Sequence, residues 1–138
     1  MVKKSSSRKK LTRREQRDLD IEINFIEGVI QRDPHYVEAL QILGDDYTRR
    51  GKFDEGLRID EQLGHLRPRD PMTLYNLACS YCLTNHLEQA VSTLLRAIDL
   101  GYNDFKSLAR DPDLEELRKH ALFKKIQTRI RSTPVKAR

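Results

Sequence analysis

Leu19, Ile23, Ile26 and Ile30 recur at helical spacing in an otherwise polar run, which predicts a first helix with one buried face. Just upstream, Thr12-Arg13-Arg14-Glu15 has the spacing of a capping box, so this helix is expected to begin near Arg13. Asp33-Pro34 should end it, because proline disfavours the helical conformation in the residue before it. A second helix is expected from about Tyr36 to Arg50, with Leu40, Leu43 and Tyr47 facing inward. Helices of about Lys52 to Leu66, Pro71 to Thr84 and Leu87 to Leu100 should follow. The turns at Gly51 and Asn85 use residue types that tolerate the left-handed conformation.

Residues 37–70 and 71–104 are two copies of one pattern laid end to end. Leu40 falls on Leu74, Leu43 on Leu77, Gly44 on Ala78, Tyr47 on Tyr81, Phe53 on Leu87, Gly56 on Ala90 and Leu66 on Leu100. Such a period predicts stacked helical hairpins, an architecture that usually presents a surface to a partner rather than doing chemistry. Gly44, Ala78, Gly56 and Ala90 are small where paired helices should cross, and larger side chains there should overpack by ~1–3 kcal/mol.

At these residues the chain resembles the tetratricopeptide repeat family: Leu40, Leu43-Gly44, Tyr47, Gly56, Leu63 and Pro68, then Leu74, Leu77-Ala78, Tyr81, Ala90 and Ala97. It departs from the family in lacking any Trp, with Leu40 and Leu74 in its usual place, and in carrying Asp60 where a bulky residue is common. Pro34 stands one period before Pro68, so residues 12–36 look like the second half of an earlier repeat. The run Gly101-Tyr102, Phe105, Leu108, Asp111-Pro112-Asp113-Leu114, Leu117 and Phe123 resembles the segment that closes the array in a group of bacterial tetratricopeptide proteins. It is expected to cap the array with a short helix near Asp104 to Arg110, a new start at Asp111-Pro112 and a long helix to about Arg131. Arg118, Lys119, Lys124 and Lys125 would give the cap a polar outer face.

The expected fold is therefore all-α: a short right-handed tetratricopeptide-like solenoid of about three hairpins with a C-terminal capping helix. Residues 12–131 would form the helical domain, with 105–131 as its cap. The resemblance implies a concave groove lined by the first helix of each hairpin. On this chain it would carry Gln41, Asp45 and Arg49, then Tyr75, Asn76, Cys79 and Leu83, then Lys106 and Arg110 from the cap. In chaperone-binding members such a groove grips a C-terminal carboxylate. Asn76, Lys106 and Arg110 match three of the five clamp positions, but Gln41 and Asp45 stand where Lys and Asn are expected, and an ionised Asp45 would repel the ligand.

Charge changes the picture at the two ends. The net charge of +5 hides an acidic body between two cationic termini. Lys3, Lys4, Arg8, Lys9, Lys10, Arg13 and Arg14 precede the first acidic residue, and residues 118–138 contain no acid. Residues 1–11 are expected to form a disordered basic tail and 132–138 a flexible basic end, either of which could attract nucleic acid or an acidic protein. No aromatic residue interleaves the N-terminal basic run, which argues against a base-stacking platform there.

The chain offers little for catalysis. Cys79 and Cys82 form a lone C-x-x-C inside a helix, away from the N-terminus that would activate a thiol, and the four histidines are scattered. There is no phosphate-binding glycine loop, H-E-x-x-H or G-x-S-x-G motif. The expectation is a non-catalytic, cofactor-free adaptor that binds a protein or peptide. It would be cytoplasmic, without a membrane segment, and monomeric or weakly self-associating. A nucleic-acid or ribosome-associated factor and a carboxylate-clamp adaptor are the alternatives.

Overall fold

The computed structural model describes residues 10–134. Lys3, Lys4, Arg8 and Lys9 of the basic tail therefore lie outside the described residues. Helices α1 (Arg13–Arg32), α2 (Val37–Arg50), α3 (Phe53–Leu66), α4 (Pro71–Leu83) and α5 (Leu87–Asp99) form the array. Then come α6 (Phe105–Arg110), a 3-10 turn (Pro112–Leu114), α7 (Glu115–Arg118) and α8 (Phe123–Ser132).

The local signals fold as their chemistry dictates. The Thr12 N–H donates to Glu15 Oε1 at 2.9 Å, and the Glu15 N–H donates back to Thr12 Oγ1 at 3.1 Å, completing the capping box of α1. Gly51 and Asn85 turn the chain between paired helices at φ 85° and 63°. α2 pairs with α3 and α4 with α5, while α1 packs on α2 and α3 on α4. The result is a short tetratricopeptide-like solenoid.

The repeat extends beyond the apolar positions into side-chain hydrogen bonds. The Tyr47 hydroxyl donates to Glu27, and one period later the Tyr81 hydroxyl donates to Glu61 at 3.0 Å. Gln62 Nε2 donates to the Pro34 carbonyl at 2.8 Å, and Arg96 Nη2 donates to the Pro68 carbonyl at 3.2 Å. Glu27 and Pro34 thus do in and after α1 what Glu61 and Pro68 do in and after α3. α1 and α3 share these two bonding positions one period apart.

Two apolar clusters hold the array together. Leu19, Ile23 and Ile26 of α1 pack with Ala39, Leu43 and Tyr47 of α2. A larger cluster joins α4 and α5 to the cap through Leu74, Leu94, Leu108, Leu114, Leu117 and Ile126. Where the helices approach most closely there is room for little. A Cβ on Gly44 would lie 3.0 Å from Asp60 Oδ1, and one on Gly56 would lie 3.1 Å from Thr48 Oγ1.

The cap departs from expectation in two respects. The expected long helix breaks at Lys119 to Leu122: α7 packs on both α4 and α5, and α8 turns to pack along α5, with Leu117 and Ile126 joining the same apolar cluster. At the break, the Leu122 N–H donates to His120 Nδ1 at 3.1 Å. Arg118 also points inward rather than out. Its Nη1 donates to the carbonyls of Leu108 at 3.0 Å and Asp111 at 2.8 Å, tying α7 to the turn that follows α6. Lys119, Lys124 and Lys125 are exposed.

Candidate functional site

The C-terminal ends of α2 and α4 lie on the same side of the array, and the start of the cap faces them. Between them is a cleft of about 690 Å³. Arg49 and Arg50 line it from α2, Cys82 and Leu83 from α4, Pro112, Asp113, Glu115 and Glu116 from the cap, and Lys10 and Leu11 from the chain before α1. Its lining is cationic from α2 and acidic from the cap, with apolar surface contributed by Leu83, Leu11 and Phe53.

The arginines are held differently. Arg50 is anchored through Nε to Asp20 Oδ1 at 2.8 Å, whereas exposed Arg49, among the described residues, pairs with Asp46 Oδ1 at 3.9 Å. Asp46 is buried, and its carboxyl is pushed up to about 8, first by loss of water and then by Glu22 and Asp45, with Arg49 opposing. Across the cleft, Glu115 and Glu116 share Lys119 at 3.1 and 3.6 Å.

Of the residues expected to line a groove, Arg49 and Leu83 do line this cleft. Asp45 and Gln41 lie half-buried, one and two turns up α2 from Arg49, outside its lining. Lys106 and Arg110 are exposed on α6, also outside it. Tyr75, Asn76 and Cys79 are 0% exposed, so a ligand cannot reach them in this arrangement.

The cap is what encloses Tyr75 and Cys79. The Tyr75 hydroxyl donates to Asp111 Oδ2 at 2.7 Å, and the Cys79 thiol lies 3.8 Å from the same oxygen. The Tyr75 ring stacks on Tyr102 with centroids 4.3 Å apart. Burial, helped by Cys79 and Asp111, drives the Tyr75 hydroxyl far above its ordinary range, so it remains a donor at any working pH. Cys79, Asp111 and Asp113 bring ligand-type atoms within 4.8 Å of one another, but Asp111 Oδ2 is engaged by Tyr75 and Cys79. This group reads as a latch that fastens the cap to α4. Sequence reasoning recognised Asp111-Pro112 as a helix start and missed its reach back to α4; an Asp with two polar residues one helical turn apart on the preceding hairpin was the available signal.

Comparison with known proteins gives partial matches. The chain is 37% identical over 96 residues to a chloroplastic protein of Arabidopsis thaliana, covering 67% of this chain and 27% of that protein. It is 35% identical over 91 residues to the peroxisomal targeting signal receptor of Komagataella phaffii, covering 64% and 16%. It is 34% identical over 74 residues to the Hsp70-Hsp90 organising protein of Plasmodium falciparum, covering 54% and 12%. The chain thus spans roughly a quarter or less of the length of these curated relatives. No family model matches the chain. No helix among the described residues is long and apolar enough to cross a membrane.

Proposed function

We propose that this chain is a non-catalytic protein-recognition module that binds an extended or helical segment of a partner in the cleft between α2, α4 and the cap. The observation that carries the reading is the cleft itself, which brings together exposed Arg49 from α2, Leu83 from α4, and Glu115 and Glu116 from the cap. A peptide that carries an apolar side chain together with an acidic and a basic residue matches that lining. Two relatives carry names that speak of protein recognition, a targeting signal receptor and an Hsp70-Hsp90 organising protein, and these support the same class of function.

A carboxylate clamp fits less well, because Asn76 is fully buried and Asp45 stands where a donor would be needed. Nucleic-acid binding through the basic ends is the second reading, favoured by Lys10, Arg13 and Arg14, which are exposed together at the start of α1.

The test is selection of binders from a random peptide library with the full chain, followed by fluorescence anisotropy. Arg49→Glu and Leu83→Asp should each weaken a selected peptide by about tenfold or more, equivalent to ~1.4 kcal/mol, while Lys124→Glu on α8 leaves affinity unchanged. Lys106→Ala and Arg110→Ala report whether the ligand continues onto α6. Selected peptides that bind equally to Arg49→Glu and Leu83→Asp would sink the cleft. A chain that yields only nucleic-acid binding, with a salt slope reduced by removal of residues 1–14, would favour the second reading.

A further inference from the structure

The outer face of α1 is apolar and open. Ile21 is 63% exposed and Phe25 69%, and a Cβ added at Gly28 would meet nothing within 4 Å. Among the described residues nothing covers this face. Its counterpart in α3 is partly covered. Ile59, one period after Phe25, is half-buried and packs against α2, 3.4 Å from the Cβ position at Gly44. α1 therefore presents a surface that the next hairpin packs against a neighbouring helix.

From the sequence of α1 and its solvent exposure, we infer that this face pairs antiparallel with the same face of a second copy of the chain, across a two-fold axis at Phe25. Asp18, Ile21, Phe25, Gly28 and Arg32 are all exposed and alternate in steps of three and four, the spacing of a helix-pairing seam. Charge fixes the direction. Antiparallel pairing about Phe25 sets Asp18 opposite Arg32 of the second copy and Arg17 opposite its Asp33, while Ile21 meets Val29. A parallel pairing would set Asp18 on Asp18 and Arg32 on Arg32. Among the described residues, Arg17, Asp18, Arg32 and Asp33 form no ion pair within their own chain, so their charges are available across the seam. Gly28 lets the backbones approach, and a two-fold contact makes every pair occur twice.

Sedimentation equilibrium of the full chain over a wide concentration range provides the test. The expected result is reversible association toward twice the monomer mass, weakened about tenfold or more by Phe25→Asp with helicity retained. Asp18→Lys and Arg32→Glu should each weaken the dimer, and the two together should restore it. Phe25→Cys, lying on the axis, should oxidise to a disulfide-linked dimer far faster than Ile21→Cys. A wild-type chain that stays monomeric into the millimolar range would overturn the inference. So would a dimer indifferent to Phe25→Asp, or one in which charge reversal at both positions fails to restore association.

Discussion

Asp46 and Asp60 occupy positions that a helical repeat would ordinarily fill with apolar or small residues, and each can be tested directly. Asp46 has a folded-state pKa pushed up to about 8 from an ordinary 3.8, so between these values the folded chain holds a proton that the unfolded chain has lost. Stability should therefore fall as pH rises through that window and level off above it, the opposite of a salt-bridged carboxylate. Asp46→Asn should flatten this slope and be the more stable protein above pH 8 in denaturant titrations; an unchanged slope would assign the dependence elsewhere. Asp60 accepts a hydrogen bond from the Ser80 hydroxyl while its other oxygen crowds Gly44. Gly44→Ala should cost about 1–3 kcal/mol. The second copy has Ala78 and Leu94 at the matching places, so Gly44→Ala with Asp60→Leu should show a coupling of about 1 kcal/mol or more in a double-mutant cycle. The sequence marked Asp60 as a departure from the pattern but not its partner, because Ser80 belongs to the next hairpin.

At the scale of elements, the cap is held to α4 by the Asp111 carboxylate in addition to its apolar contacts. Tyr75→Phe removes its hydroxyl bond to Asp111 and should cost ~1–2 kcal/mol in thermal or chemical unfolding. It should also loosen the segment over α4. Cys79 and Cys82 are both buried, and burial raises the Cys82 thiol above its usual range, so both should react slowly with a thiol reagent in the native chain. Tyr75→Phe and Asp111→Asn should accelerate that reaction without unfolding the array; equal rates would deny the latch its role. Helix starts and stops were largely legible here. Thr12, Gly51, Asn85 and Asp33-Pro34 act through local geometry that a sequence displays directly. The break between α7 and α8 was not, since it follows from how both helices, through Leu117 and Ile126, fit into the apolar cluster built by α4 and α5, a tertiary arrangement.

At the scale of the molecule, the solenoid was legible because periodicity is both the cause of the fold and a property of the sequence. Even the Tyr47–Glu27 and Tyr81–Glu61 bonds obey it. The candidate site was legible only in part. The resemblance placed first-helix residues in an open groove, whereas Asn76 is buried, the cap closes over Tyr75 and Cys79, and the accessible surface lies toward Arg49 and Leu83. Which faces of a helix remain open depends on what folds back over them, and no local pattern encodes that. Recognition in the cleft can be tested by an amide NMR titration of the full chain with a library-selected peptide. A ligand held there should give saturable shifts concentrated at Arg49, Leu83, Glu115 and Glu116. Shifts confined to α6 or to the basic ends, or none that saturate, would contradict it.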